Sequence, residues 1–242
     1  MIDLDRHGDV FVLTMQAGEN RFNRPFLDAL HGALDAVEGS AGPAALVTTG
    51  GTEKFYSNGL DLAWLGGDGR DQAAAFVDAV VACLRRLLAF PVPTVAAVNG
   101  HAFAAGGMMA LAHDFRVMRA DRGFFCLPEV DINLPLAPGM TALIKAKLSQ
   151  VAMRDAVLTG ARVGGAEAAE RAIVDEAVPA GAVLPCAIAR AASLAAKDRA
   201  TYGALKRGLY AEALACMSHQ LSAASADAPA PQGRTPSASS TY

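Results

Sequence analysis

Segments with a strand pattern and segments with a helix pattern alternate along the first 200 residues, and this alternation limits the folds that the chain can adopt. Apolar, β-branched and aromatic runs predict buried strands at 9–15, 44–48, 94–98 and 115–118. Apolar residues at helical spacing predict helices at 25–37, 71–90 and 106–113. Pro25 suits the first turn of its helix, and Gly39 suits the end. Successive strand–turn–helix units are typical of an α/β fold.

The pattern becomes mainly helical after Ala137, with helices predicted at 139–148, 151–158, 181–196 and 202–217. We therefore divide the chain into an α/β core over 1–198, a C-terminal helical segment over 199–221 and a tail over 222–242. The tail consists of Ala, Ser and Pro with almost no large apolar residue. It cannot bury enough surface to offset the entropy of ordering, so we predict that it is flexible.

Composition argues against several classes of protein. A formal charge of −3 over 242 residues argues against a general nucleic-acid-binding protein. No apolar run approaches the roughly 20 residues of a membrane-spanning helix. The N-terminus lacks a signal-peptide pattern and the C-terminus is not Ser-Lys-Leu, so we expect a cytoplasmic protein. The 4 cysteines lack metal-ligand spacing and are interpreted as reduced thiols, so we expect no metal site.

Two glycine-containing turns and one glutamate carry the candidate chemistry. The turns span 55–62 and 99–108, and the glutamate is Glu129. A glycine permits positive φ and a helix N-terminus leaves N–H groups unpaired, so each turn can offer an N–H to a carbonyl oxygen. Glu129 lies among apolar residues and could act as a desolvated base. Taken singly, each feature also has a structural interpretation: an ordinary loop, tight helix–sheet packing or a surface glutamate.

Four other polar residues offer alternatives. Asp131 shares a face with Glu129 if the backbone there is extended, which makes it the local candidate for a second carboxylate. His113 and Asp114 could mimic a catalytic dyad, although a structural role at a helix-to-strand turn is favoured. Lys206 lies on a predicted helix and could reach an anionic ligand or remain on a solvated face.

The order and spacing of these motifs resemble the enoyl-CoA hydratase/isomerase, or crotonase, superfamily over residues 8–218. The shared motifs are Phe55-x-Ser57-x-Gly59-x-Asp61-Leu62, Pro93-Thr94-x-Ala96-x-Val98-Asn99-Gly100, Ala105-Gly106-Gly107, Asp114 and Pro128-Glu129-Val130. The resemblance implies a crotonase-like fold of repeated ββα units with a helical C-terminal region. It also implies an acyl-CoA thioester substrate and a homotrimer or hexamer. Coenzyme A is part of the substrate, and no separate cofactor is implied.

By the same resemblance, the two oxyanion N–H groups belong to Leu60 and Ala105, with Gly106 as the alternative if the turn shifts by one residue. The strip along the adenine and pantetheine path comprises Ser57, Asn58, Gly59, Asp61 and Leu62. Lys206 corresponds to a C-terminal lysine that reaches the CoA phosphates in relatives, sometimes across a subunit boundary. Candidate walls of the acyl pocket are Trp64, Phe76, Phe124 and Met140.

The position of a missing acid suggests the reaction. Hydratases of the superfamily use two glutamates, of which the second matches Glu129 and the first falls at Met108. A position where dienoyl isomerases need an acid is occupied by Ala137. A single glutamate resembles the Δ3,Δ2-enoyl-CoA isomerases, in particular the plant peroxisomal type, and implies a double-bond shift in fatty-acid β-oxidation. A hydratase aided by Asp131, another acyl-CoA reaction and a non-catalytic CoA-thioester binder remain alternatives.

Overall fold

The computed structural model describes residues 1–223, in which the strands form two β-sheets. The strands are β1 (Ile2–His7), β2 (Val10–Met15), β3 (Ala45–Gly50), β4 (Phe55–Ser57), β5 (Thr94–Val98), β6 (His101–Phe103), β7 (Phe115–Arg119), β8 (Phe124–Cys126), β9 (Val163–Gly164) and β10 (Glu176–Val178). The larger sheet has the order β1-β2-β3-β5-β7-β10, and the smaller has the order β4-β6-β8-β9. Only β1–β2 and β8–β9 pair antiparallel.

Helices connect and cover these strands. They are α1 (Arg24–Glu38), α2 (Leu62–Gly66), α3 (Ala73–Leu88), α4 (Ala105–Ala112), α5 (Pro138–Lys147), α6 (Gln150–Thr159), α7 (Gly165–Glu170), α8 (Val183–Leu194), α9 (Arg199–Leu209) and α10 (Ala211–Ala223). Within residues 1–223, no single helix is long and apolar enough to cross a membrane. The segments Ala180–Leu194 and Arg199–Leu209 reach that length and apolar composition only when they are taken together, and the chain bends by 107° between them.

Three consecutive ββα units build the part of the fold that carries the site. In the pairs β3–β4, β5–β6 and β7–β8, the first strand joins the larger sheet and the second joins the smaller one. The first two units continue into α2 and α4, and the third continues into a 3₁₀ turn over Pro128–Val130. The predicted α/β class with repeated ββα units is therefore confirmed. Strands of two or three residues, such as β4, β6 and β8, were missed because they are too short to display a period.

The larger sheet is buried on both faces. Alternate residues of β2 point in opposite directions: Phe11 and Leu13 pack in the main core with α1, α3 and α4, whereas Val10 and Val12 pack against α8. A strand that is covered on both sides has no polar face, which explains why 9–15 is a nearly continuous apolar run in the sequence.

The predicted helix 202–217 is wrong, because α9 ends at Leu209 and α10 begins at Ala211. Tyr210 separates them with φ −108° and ψ 21°. Its hydroxyl accepts a hydrogen bond from Lys147 Nζ at 3.1 Å, and the same ammonium lies 4.9 Å from the ring centre. Helix α10 continues to Ala223, so the predicted tail begins within a helix; its remaining residues, 224–242, lie outside the described part of the chain.

A buried ion pair connects the C-terminal helices to the larger sheet. Lys206 Nζ on α9 lies 2.8 Å from Asp114 Oδ1, and the two side chains are only 6% and 9% exposed. Asp114 also accepts hydrogen bonds from the N–H and hydroxyl of Thr94 and from the hydroxyl of Tyr202. The prediction that Lys206 reaches the CoA phosphates disagrees with this placement, because burial and Asp114 hold its ammonium inside the fold.

Lys206→Met should therefore lower the free energy of unfolding by about 3 kcal/mol, because it leaves the Asp114 carboxylate buried without its cation. Urea denaturation measures the change. Arg207→Met is the matched control, since Arg207 is the exposed neighbour on the same helix and its removal should be nearly neutral. Equal effects of the two substitutions would contradict the role of the ion pair.

Candidate active site

Three separate turns meet at one edge of the smaller sheet. Strands β4, β6 and β8 lie side by side and run parallel, with Phe55 opposite His101 and Phe103 opposite Cys126. Parallel strands present their carboxyl ends at the same edge, where ligands bind in open α/β sheets. The chain leaves β4 towards Leu60, β6 towards Ala105 and β8 towards Glu129, which brings together residues that are distant in sequence.

Two glycines allow the first two turns to approach closely. A Cβ on Gly106 would lie 2.3 Å from the carbonyl oxygen of Ser57, a distance at which the backbone would have to move. A Cβ on Gly59 would lie 2.8 Å from the Phe103 oxygen and 3.1 Å from the Ala105 nitrogen. Gly59 also has φ +76°, which favours glycine. The position of one turn therefore determines the position of the other.

The backbone N–H groups of Leu60 and Ala105 donate no hydrogen bond to another atom of the described chain. Ala105 is the first residue of α4, so its N–H lies at the positive end of the helix dipole. The preceding residue, Ala104, has φ 51° and ψ −125°, an unusual conformation for a residue with a Cβ. Its own N–H donates to the Cys126 carbonyl at 2.9 Å, which ties this turn to β8.

Leu60 and Ala105 both line a cavity of about 220 Å³. Its wall contains Leu60, Ala105, Met108 and Glu129. The remaining lining residues are Arg21, Asn58, Leu62, Phe103, Ala104, Pro128, Ile132, Leu134, Pro135, Leu136 and Met140. Most of this wall is apolar, so a carbonyl oxygen that enters the cavity would meet few polar partners apart from the two N–H groups.

Glu129 is the buried carboxylate of this cavity. Its residue is 7% exposed, and its Oε2 atom has no hydrogen-bond partner in the described part of the chain. Burial raises the pKa of Glu129, although a hydrogen bond from its own backbone opposes the shift. The carboxylate is therefore a stronger base than an exposed glutamate, as general-base chemistry near neutral pH requires.

Asp131 does not join Glu129 in the cavity. The expectation of a shared face required extended backbone, whereas Pro128–Val130 forms a 3₁₀ turn and the Asp131 N–H donates to the Pro128 carbonyl at 2.9 Å. Asp131 is exposed and its side chain approaches Gly160. Met108 lines the cavity and is 1% exposed, so the position of the absent second acid is occupied by an apolar side chain.

The comparison with known proteins gives the family. A family model described as enoyl-CoA hydratase/isomerase matches residues 5–228. The chain belongs to the enoyl-CoA hydratase/isomerase family. It is 37% identical to enoyl-CoA delta isomerase 3 of Arabidopsis thaliana over 221 residues, which cover 88% of this chain and 93% of the relative. The predicted superfamily and the prediction of an isomerase enzyme are therefore confirmed.

Solved structures of two proteins share the fold of this member of the family. One Mycobacterium tuberculosis protein, described as an enoyl-CoA isomerase in one structure and as a probable enoyl-CoA hydratase in another, is 25% identical; the first structure has a TM-score of 0.85, and the match covers 93% of this chain and 98% of that one. Human mitochondrial Δ3-Δ2-enoyl-CoA isomerase has a TM-score of 0.87 at 22% identity, with 92% and 88% covered. The second likeness concerns the fold alone.

The residues that this family member was predicted to use for substrate binding divide into two groups. Asn58 and Leu62 line the cavity. Three others stabilise the turn instead: Ser57 Oγ donates to the Asn20 carbonyl at 2.7 Å, Gly59 permits the close approach, and Asp61 Oδ1 accepts from the Trp64 N–H that begins α2. Gly106 belongs to the contact between the turns and does not line the cavity, whereas Ala105 does.

Sequence reasoning missed the loop between β2 and α1. The side chain of Asn20 is fully buried, donates to the Tyr56 carbonyl at 2.9 Å and accepts from the Ala17 N–H. Phe22 forms a parallel bridge with Leu60, and Arg21 lines the cavity. The loop has no hydrophobic period that could reveal it. The one available signal is Asn23, a favoured N-cap residue before the α1 pattern, whose Oδ1 accepts from the Phe26 N–H.

The prediction of which side chains form the walls of the acyl pocket is mostly wrong. Among the four candidates only Met140 lines the cavity. The rings of Trp64 and Phe76 pack edge-on at 5.0 Å, and Phe124 lies 5.6 Å from the ring of His101. Apolar side chains of the segment 132–136 take their place, namely Ile132, Leu134, Pro135 and Leu136.

The remaining titratable candidates have structural roles. His113 is completely buried, with Nδ1 2.8 Å from the Met109 carbonyl and Nε2 3.0 Å from Thr48 Oγ1; burial lowers its pKa to about 4. Burial raises the pKa of Cys126 to about 11, so its thiol is not activated. Among residues 1–223, no group of three or more His, Cys, Asp or Glu side chains could hold a metal ion.

Gly106→Ala should lower the free energy of unfolding by about 1–3 kcal/mol, because the added methyl group forces the two turns apart. Gly32→Ala is the matched control: Gly32 lies within α1 with open space around it, and the same substitution should be neutral or slightly stabilising. Urea denaturation of both variants measures the difference. If Gly106→Ala were as well tolerated as the control, the close approach would be unimportant.

Glu129→Gln should stabilise the folded protein at neutral and alkaline pH. The folded state holds the Glu129 proton more tightly than the unfolded chain, so ionisation costs folding free energy. This cost is absent below the ordinary glutamate value of 4.5 and complete above the raised pKa of the folded protein. Unfolding curves at pH 4 and pH 8 should show the gain at pH 8 only, whereas exposed Asp131→Asn should show no such gain.

Proposed function

We propose that this chain is a Δ3,Δ2-enoyl-CoA isomerase that moves the double bond of a 3-enoyl-CoA to the trans-2 position. One observation carries the proposal: Glu129, whose Oε2 atom has no hydrogen-bond partner among the described residues, lines the same cavity as Leu60 and Ala105, whose N–H groups donate no hydrogen bond there. One base and two N–H donors are the parts that a proton shift next to a thioester requires.

The two N–H groups bind the thioester oxygen and lower the pKa of the C2 protons. Glu129 removes a proton from C2, and the electron pair of that bond forms a dienolate that extends from the oxygen to C4. The negative charge on the oxygen is stabilised by the N–H groups of Leu60 and Ala105. Glu129 then returns the proton to C4, which leaves the double bond between C2 and C3. Atoms and electrons balance without a redox or metal cofactor.

The buried position of Glu129 favours this shuttle over hydration. Its raised pKa lets the carboxylic acid formed in the first step persist until the proton is delivered to C4. Hydration needs a second polar group to hold and split a water molecule, and the side chain at that place is Met108. Asp131, the other carboxylate near this turn, is exposed and does not line the cavity.

The CoA part of the substrate enters from the side of the cavity formed by Arg21, Asn58 and Leu62. Glu19 connects two of these residues, since it accepts a hydrogen bond from Asn58 Nδ2 at 2.9 Å and pairs with Arg21 at 2.6 Å. Arg21 thus supplies a cation at the cavity, a role that the buried Lys206 cannot fill. Ser57, Gly59 and Asp61 contribute by shaping the turn.

Assembly into a homotrimer or hexamer belongs to the same proposal. Large apolar side chains are exposed on two of the helices: Leu205 and Leu209 on α9, and Val151 and Leu158 on α6. Each of them is at least 60% exposed, and contact with further copies would remove them from water.

Glu129→Gln should lower kcat for trans-3-hexenoyl-CoA isomerisation about 10²–10⁴-fold, the usual cost of losing a positioned general base. The KM should change little, because the amide keeps the shape of the side chain. Asp131→Asn is the matched control: it also replaces a carboxylate in the same turn, and it should retain activity. Parallel assays with crotonyl-CoA measure hydration, which should be weak in the wild type.

Full isomerase activity in Glu129→Gln would disprove the single-base mechanism. Dominant hydration of crotonyl-CoA by the wild type would favour a hydratase in which another group handles water. Binding of acyl-CoA without either reaction would indicate a non-catalytic thioester binder.

A further inference from the structure

A second and larger cavity adjoins the candidate active site. It is a groove of about 910 Å³ between α5 and the junction of α9 with α10. Small side chains form much of its surface, including Ala142 and Ala146 on α5 and Ala211 and Ala213 on α10. We call it the α5–α10 groove. It contains no residue of the oxyanion turns and no part of Glu129.

Leu136 is the residue that the two cavities share. It lies in the segment between Glu129 and α5, is half-buried and packs against the main core. Leu136 therefore lines both a cavity of about 220 Å³ that contains the base and a groove of about 910 Å³ that does not. Other apolar residues that line the active-site cavity with Leu136 are Leu134, Pro135 and Met140.

We propose that Leu136 determines the acyl-chain length that this protein accepts, and that the α5–α10 groove holds the distal methylene groups of longer chains. The proposal rests on the proposed isomerase function and deepens it. In this arrangement C1–C4 of the substrate occupy the active-site cavity, and a longer chain passes Leu136 into the groove. The side chain at position 136 controls how readily it does so.

The groove suits an unbranched apolar chain. Alanines on both helices leave room for a ligand and present methyl groups to it. The charged residues of the groove lining are Lys145 and Glu212. Burial of each methylene group strengthens binding about fourfold, so several of them in the groove would give a large preference for long chains. The groove offers no comparable benefit to a short chain that ends before Leu136.

Binding of two saturated ligands tests the proposal without depending on turnover. Hexanoyl-CoA and dodecanoyl-CoA are titrated into the wild type and into variants by calorimetry, and the ratio of their Kd values reports the use of the groove. Leu136→Ala should shift this ratio about tenfold in favour of dodecanoyl-CoA, because the passage is wider. Ala146→Phe should shift it about tenfold against dodecanoyl-CoA, with little change for hexanoyl-CoA, because the ring fills the groove.

Ala146→Ser is the matched control, since it changes the same exposed position without adding bulk and should leave the ratio at its wild-type value. A ratio that neither Leu136→Ala nor Ala146→Phe changes would overturn the proposal; the acyl chain would then leave the cavity elsewhere, or a second copy would cover the groove. Urea denaturation of each variant confirms that it is folded.

The same variants separate this inference from the proposed function. If trans-3-hexenoyl-CoA is isomerised but the Kd ratio does not respond to the substitutions, the inference about Leu136 fails and the isomerase assignment stands. If the Kd ratio responds but trans-3-hexenoyl-CoA is not isomerised, the isomerase assignment fails and the groove remains an acyl-chain site. Absence of binding of either acyl-CoA overturns both.

Discussion

The parallel alignment of β4, β6 and β8 is the constraint on which the candidate site depends. Each strand has only three residues, yet their carboxyl ends meet at one edge and direct three turns towards the same cavity. Leu60, Ala105 and Glu129 come from three successive ββα units, so none of them is near another in the sequence. Each repeat of the fold places one turn at the same edge of the smaller sheet. The three turns differ in the groups that they present because their residues differ.

Close backbone contact makes the first two turns a single unit. The two turns leave no room for a side chain at Gly106 or at Gly59. The buried Asn20 attaches the loop before α1 to β4. Ala104 retains a positive φ beside the Ala105 N–H, at a cost of about 1–3 kcal/mol for such a conformation. Strain of this kind persists only where the surroundings determine the backbone, and here the hydrogen bond from the Ala104 N–H to the Cys126 carbonyl is one such constraint.

Burial has opposite consequences for the Lys206–Asp114 ion pair and for Glu129. Lys206 and Asp114 form an ion pair that attaches the C-terminal helices, so each charge compensates the other. Glu129 forms no ion pair with another described residue, its Oε2 atom has no hydrogen-bond partner there, and its raised pKa costs folding free energy at neutral pH. A protein selected for stability alone would replace such a residue, and its presence in an apolar cavity is what a general base requires.

Hydrophobic period and glycine-turn motifs are local signals, so the sequence was sufficient to predict the fold class, most of the long helices, the strand β5 and three residues of the proposed site. It could not predict that Ser57 and Asp61 support a turn, that Arg21 rather than Lys206 lies at the cavity, or that Leu136 lines two cavities. Those facts depend on which distant segments pack together. The 3₁₀ turn at Pro128–Val130 illustrates the difference, since Glu129 and Asp131 are equivalent carboxylates in the sequence. Only the tertiary structure buries Glu129 and leaves Asp131 exposed, and that difference in solvation is the reason why Glu129 is the proposed base.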